Sequence, residues 1–305
     1  MDFKGKSIVS IRDISKKEIL HILEVANGME ENPKHELFKG KVMASLFFEP
    51  STRTRLSFES AMKKLGGEVV GFAEAGVSSA KKGESLSDTV KTVENYSDVI
   101  VMRHPLEGTA RLASEVVSIP VLNGGDGANQ HPTQTLLDLY TMLKTQKKLE
   151  GLEVAMVGDL KYGRTVHSLA IALAQFKCRM YFVSPDSLKM PDYIIEELKG
   201  KDIEYSEHKE IKEIMDKVDI LYMTRIQRER FSDPSEYEKV KNVYVLTKDM
   251  LADVRPNLKI MHPLPRVNEI AAEIDATPYA VYFQQAANGI FVRQALIALV
   301  LGAVK

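Results

Sequence analysis

The chain has 305 residues, 44% hydrophobic and 27% charged, which is long enough for two domains with separate cores and ordinary for a soluble globular protein. Its net charge of −1 excludes a bulk basic field for nucleic acid, so any anion site must come from local clustering of Arg and Lys. A single cysteine, Cys178, excludes an internal disulfide; no Cys/His cluster has metal-ligand spacing, so no metal is expected, and a reducing, cytoplasmic compartment fits.

In chain order, Met1 to Lys6 carry no apolar stretch of the secretory kind, and no signal segment is expected. The first apolar run, Val42–Phe48, reads as a buried strand. It leads into Glu49-Pro50-Ser51-Thr52-Arg53-Thr54-Arg55 and then into helical spacing at Leu56, Phe58, Ala61, Met62 and Leu65. Free backbone N–H groups point out of a first helical turn, where the helix dipole favours negative charge. Ser51, Thr52 and Thr54 add hydroxyl donors, and Arg53 adds a planar fork that fits phosphate oxygens. Taken alone, the run would also serve as an N-capped helix with a basic face.

A strand at Glu68–Phe72 is followed by an aperiodic polar stretch, Glu74 to Ser85, that contains Ser78-Ser79-Ala80-Lys81-Lys82-Gly83-Glu84. Two lysines beside serines can close over an anion, although composition alone slightly favours a solvated loop. After a helix at Leu86–Tyr96, the strand Val99–Arg103 ends in Arg103-His104-Pro105. A helix at Glu107–Val117 and a strand at Pro120–Leu122 lead to the glycine-rich Asn123–Gln130. His131-Pro132-Thr133-Gln134 then opens the helix Thr133–Lys147. An imidazole and a carboxamide at a helix start suit the polarisation of a carbonyl oxygen; a cap or a packed residue is an equal reading for His131.

The second half repeats the alternation. Val154–Gly158, Arg179–Val183, Ile203–Tyr205, Ile220–Thr224 and Lys259–Met261 read as strands, and Arg164–Phe176 and Tyr193–Lys199 as helices. Alternating strands and helices argue for parallel sheets, which bind ligands beyond the carboxyl ends of their strands. The turn Gly158-Asp159-Leu160-Lys161-Tyr162-Gly163-Arg164 lacks the middle glycine of a dinucleotide loop, so a nicotinamide cofactor is rejected. Arg225-Ile226-Gln227 and His262-Pro263-Leu264-Pro265-Arg266 each follow a strand, and the two prolines of the latter can hold backbone carbonyls rigidly. The longest apolar run, Ala295 to Val304, is too short to span a bilayer and reads as a buried terminal helix from about Asn288. Arg53, Lys82, Arg103, Arg164 and Arg225 are expected to face one crevice between two domains. No carboxylate pair or nucleophile–base order accompanies them. Such a set suits a reaction between two anions, catalysed by positioning and electrostatics.

The motifs from Phe48 to Arg55, Lys81-Lys82-Gly83-Glu84, Arg103-His104-Pro105, His131-Pro132-Thr133-Gln134, Gly158 to Ser168 and His262 to Arg266 together resemble the aspartate carbamoyltransferase catalytic chain, in order and from end to end. The resemblance implies an α/β fold of two doubly wound parallel-sheet domains with the active-site crevice between them. A carbamoyl phosphate-binding domain would cover 1–132 plus 287–305, and an L-aspartate-binding domain 133–286. It implies no cofactor. Ser51, Thr52, Arg53 and Thr54 would hold the phosphate; Thr54, Arg103 and His131 the carbonyl oxygen; Gln134 the amino group, with the carbonyls of Leu264 and Pro265 on the same nitrogen. Arg164, Arg225 and Gln227, helped by Lys82, would hold the carboxylates of L-aspartate. Ser78 and Lys82 would enter a neighbouring subunit's site in a homotrimer, and some members of that family pair with a separate regulatory chain. Two rivals stand beside this reading. Ornithine carbamoyltransferase shares the carbamoyl phosphate half, but Arg225 and Lys82 would repel a cationic substrate, and that family has cysteine where Pro263 stands. A non-catalytic phosphate-binding relative is the other, and the intact polar set argues against it.

Overall fold

A computed structural model describes residues 1–74, 83–228, 231, 233–241 and 243–304. The chain forms two compact units, Met1–Tyr140 with Ala286–Lys305, and Thr141–Gln285.

The first unit begins with α1 (Lys16–Glu31), which the sequence reading did not mark. Its start is a capping box: the Ser15 hydroxyl accepts from the backbone N–H of Glu18, and the Glu18 carboxylate accepts from that of Ser15. Ile19, Ile22, Leu23, Ala26 and Met29 then bury one face. There follow β1 (Val42–Phe47), α2 (Thr52–Lys64), β2 (Glu68–Phe72), α3 (Leu86–Glu94), β3 (Val99–His104), α4 (Thr109–Val116), β4 (Val121–Asp126) and α5 (Pro132–Gln146). The four strands are parallel in the order β2-β1-β3-β4. β1 and the Val99–Met102 part of β3 are almost wholly apolar because both faces are covered, whereas β4 is apolar only at Val121 and Leu122 before Asn123–Asp126; Ala44, Leu46, Ile100, Met102 and Val121 share a core with Val90, Ala110 and Ala113 of the helices. β2 is an edge strand and largely exposed.

The second unit holds β5 (Glu153–Val157), α6 (Arg164–Ala174), β6 (Arg179–Val183), α7 (Asp192–Lys199), β7 (Tyr205–His208), β8 (Ile220–Met223), α8 (Pro234–Val240) and β9 (Lys259–Met261), in a parallel sheet of order β7-β6-β5-β8-β9. Its core joins Val157, Val183, Leu221, Met223 and Ile260 of the sheet to Ile214, Val218, Leu258 and Ile274. β7 lies two residues later than the expected Ile203–Tyr205: as an edge strand it has a single neighbour and tolerates the polar Ser206 and Glu207. α9 (Tyr282–Val300) starts before the expected Asn288, because Gln285 and Asn288 are polar yet buried; Gln285 accepts from the backbone N–H of His262 at 2.8 Å. Among the described residues no helix is long and apolar enough to cross a membrane, and no group of three or more His, Cys, Asp or Glu is placed to hold a metal ion. Cys178 is buried just before β6, with its thiol pushed up to about 12 by burial.

Each sheet has one switch point, where chain order reverses about a central pair of strands. In the first it lies between β1 and β3, in the second between β5 and β8. Ligands of open parallel sheets sit beyond the carboxyl ends of such pairs.

Candidate active site

At the switch point of the first sheet, β1 runs out into Ser51, which caps α2 in an extended conformation without spending its side chain on the helix. The Ser51 hydroxyl is therefore not spent on the helix, at a terminus whose dipole favours an anion. Thr52 and Arg53 are exposed and Thr54 is buried. Thr54 Cγ2 lies 3.4 Å from where a Cβ of Gly124 would stand, so the glycine on β4 makes room for it. Arg103 falls at a register irregularity between β3 and β4, a device that re-aims a side chain. Its Nη2 donates to Glu49 Oε1 at 2.5 Å, while Nε is buried with no hydrogen-bond partner among the described residues. An orphaned guanidinium N–H costs free energy unless something arrives to accept from it.

The glycine-rich run beside it is braced by one buried carboxylate. Asp126 accepts from Asn123 Nδ2 at 2.8 Å, Gly108 N–H at 2.8 Å, Asn129 Nδ2 at 3.0 Å and Gln130 N–H at 3.2 Å. Gly127 needs to be glycine: its φ is +53°, and a Cβ would stand 3.1 Å from the Pro105 carbonyl. The brace delivers His131, buried, to the start of α5, where Pro132 suits the first helical position. Gln134 follows one turn in, and its Nε2 donates to Asp138.

At the switch point of the second sheet, β5 is followed by Gly158 at φ +117°, where a Cβ would stand 2.4 Å from the Thr224 carbonyl. Asp159 is fully buried. Its carboxylate accepts from Tyr162 N–H at 2.9 Å, and Gln227 N–H lies 3.5 Å away. Burial raises its pKa, opposed by these backbone donors. The turn places Arg164, buried, as the first residue of α6, and holds Gln227, whose Nε2 points to the Tyr162 carbonyl at 3.4 Å. Arg225, just past β8, lines a pocket with Thr224, Tyr237, Tyr244, Asn268 and Glu269.

Past β9, the His262 ring is fixed on both sides. Nδ1 accepts from Leu264 N–H at 2.7 Å, which leaves Nε2–H to donate to Glu269 at 2.7 Å. Burial acts to raise the Glu269 pKa, but the donors His262 and the Val267 backbone N–H hold it below its usual range. This clamp carries Leu264, at φ +57° and cis to Pro265; left-handed backbone is disfavoured for leucine and needs such support.

Thr52, Arg53, Thr54, Arg103, His131 and Gln134 thus gather at the carboxyl end of the first sheet. Arg164, Arg225, Gln227, Leu264 and Pro265 gather at that of the second. Ser78 and Lys82 lie outside the described residues. The braces Glu49, Asp126, Asp159 and Glu269 escaped the sequence reading; Glu49 and Asp159 stood inside conspicuous motifs, but Arg103, the partner of Glu49, and Gln227, beside Asp159, lie far along the chain.

Two family models divide the chain between them: the aspartate/ornithine carbamoyltransferase carbamoyl-P binding domain matches residues 6–144, and the Asp/Orn binding domain residues 150–300. The aspartate carbamoyltransferase catalytic subunit of Chromobacterium violaceum is 56% identical over 97% of this chain and 98% of its own length, and that of Thermococcus kodakarensis is 56% identical over 99% of each. The solved catalytic subunit of M. jannaschii aspartate transcarbamoylase superposes with a TM-score of 0.89 at 52% identity, over 96% of each chain. The Trypanosoma cruzi enzyme in complex with N-(phosphonacetyl)-L-aspartic acid superposes at 0.92 and 39% identity, over 98% of this chain and 97% of its own. Both halves matched in order, with more than half the residues shared with catalytic subunits over nearly the whole length, place the chain in the aspartate/ornithine carbamoyltransferase family, on its aspartate carbamoyltransferase branch.

Proposed function

We propose that the chain transfers the carbamoyl group of carbamoyl phosphate to the α-amino group of L-aspartate, giving N-carbamoyl-L-aspartate and phosphate in pyrimidine biosynthesis. The observation that carries the reading is the half-site at the end of β1 and β3: a helix start on which Ser51 spends no side-chain hydrogen bond, beside a tethered Arg103 whose Nε has no acceptor among the described residues. The first unit takes carbamoyl phosphate. Ser51, Thr52, Arg53 and Thr54 bind its phosphate, and Gln134, with the Leu264 and Pro265 carbonyls, its amino group. The second unit takes L-aspartate through Arg164, Arg225 and Gln227, whose donors suit two carboxylates and repel the cationic end of ornithine.

The neutral α-amino group attacks the carbamoyl carbon. Negative charge grows on the carbonyl oxygen, where Thr54, Arg103 and His131 stabilise it as preorganised donors. The carbon–oxygen bond to phosphate breaks, and the leaving phosphate takes the surplus proton. The working assembly is a homotrimer in the cytoplasm, in which Ser78 and Lys82 complete a neighbour's site; a separate regulatory chain is compatible with it. Carbamoyl transfer by the purified chain, with L-aspartate and L-ornithine in parallel, tests the reading. Product from aspartate alone is expected; product from ornithine would overturn the assignment of Arg225. Mixing inactive Lys82→Ala with inactive His131→Ala chains restores activity if sites are shared, and well-folded hybrids without activity refute sharing.

A further inference from the structure

Behind Gln134 the first unit buries two charged groups. Asp138 lies one turn further along α5, is fully buried, and accepts from Gln134 Nε2 at 2.9 Å through Oδ1. Arg293 of α9 acts on the same carboxylate. Burial pushes the guanidinium down to about 10, and the charge of Asp138 opposes that fall. Arg293 is 3% exposed and lies over the Phe58 ring of α2, 4.9 Å from its centroid. Gly289 leaves it space, since a Cβ there would stand 2.3 Å from one Nη. In the hydrogen bond from Gln134, Asp138 is the acceptor.

A carboxamide has a donating end and an accepting end, and a carboxylate can only accept. Asp138 therefore fixes the nitrogen of Gln134 inward and turns its oxygen outward. An outward oxygen accepts from an N–H group and has nothing to offer a methyl group of the same size. We propose that Asp138 is a positioning and specificity-determining residue that orients Gln134 so that the site selects carbamoyl phosphate over an acyl phosphate of equal shape, resting on the proposed contact of Gln134 with the carbamoyl amino group.

Acetyl phosphate, with methyl in place of the amino group, is the probe. The KM of carbamoyl phosphate and the competitive inhibition constant of acetyl phosphate are measured on the assembled enzyme. Asp138→Asn raises the former about tenfold, the weight of one hydrogen bond, and leaves the latter within about twofold. Equal weakening of both, or of neither, overturns the inference. Gln134→Ala separates the two levels. If it keeps full selectivity, the role of Gln134 itself is wrong; if it loses selectivity while Asp138→Asn does not, only the role of Asp138 falls. Gln134→Glu serves should Asp138→Asn not fold. Two carboxyls at hydrogen-bond distance cannot both ionise, so one titrates far above its ordinary range. The KM of carbamoyl phosphate then gains an ionisation that the parent enzyme lacks, and a folded Gln134→Glu with an unchanged pH profile sinks the proposal.

Discussion

Glu269→Gln is the sharpest test of how the Leu264 loop is held. The carboxylate accepts from His262 Nε2 at 2.7 Å and from the backbone N–H groups of Val267 and Asn268, each at 3.1 Å. The amide has one accepting oxygen, so its NH2 must meet one of those donors head-on. A lost hydrogen bond to a charged group plus a thwarted donor comes to about 2–3 kcal/mol, or roughly 5–10 °C in melting temperature. The effect depends on pH with a defined sign. The folded chain holds Glu269 below its ordinary value of 4.5, so its stabilisation is complete above that pH and drains away as pH falls through the folded value. Urea unfolding of parent and variant at pH 7 and again near pH 3.5 measures both parts. The gap in midpoint should be wide at pH 7 and narrow in acid. Equal midpoints at pH 7, or a gap that widens in acid, would refute the clamp.

Three further outcomes follow from the same geometry. His131→Ala should lower turnover about 10²–10³-fold with little change in aspartate KM, as removal of one donor from a developing oxyanion does; steady-state kinetics with both substrates varied decides it. Arg225→Ala should raise the aspartate KM about tenfold or more, since it removes a charge-assisted hydrogen bond, and an unchanged aspartate response would contradict its role. Gly158→Ala forces a Cβ to within 2.4 Å of the Thr224 carbonyl at φ +117°; the expected loss is about 2–3 kcal/mol in thermal or urea unfolding.

The buried strands were legible because parallel strands covered on both faces are almost wholly apolar, as Val154–Val157 is and as Val42–Phe47 is but for Ser45. The helix starts that carry Thr52–Thr54, His131 and Arg164 were legible from the turn chemistry that precedes them. α1 was missed although Ser15 and Glu18 spell out its capping box. Other features had no local signal. Strand order depends on crossovers that leave no mark in the sequence. The pairing of Glu49 with Arg103 joins residues 54 positions apart, and the approach of Arg293 to Phe58 joins the last helix to the first half of the chain. Long-range polar partners are chosen by the fold, so a motif can mark a candidate binding residue while the residue that aims it leaves no local sign.

The order of the units along the chain bears on how the protein is made. The second unit is one continuous stretch, Thr141–Gln285, whereas the first is interrupted and finished only by Ala286 onward. On a ribosome that delivers the N-terminus first, the inserted unit has all its strands while the earlier one still lacks its final helix. Phe58 waits for Arg293, and Gly5 N–H waits for the Val300 carbonyl it reaches at 2.9 Å. The helix start at Thr52–Thr54 is therefore synthesised early, while the unit that holds it is completed only when Ala286 onward has been made.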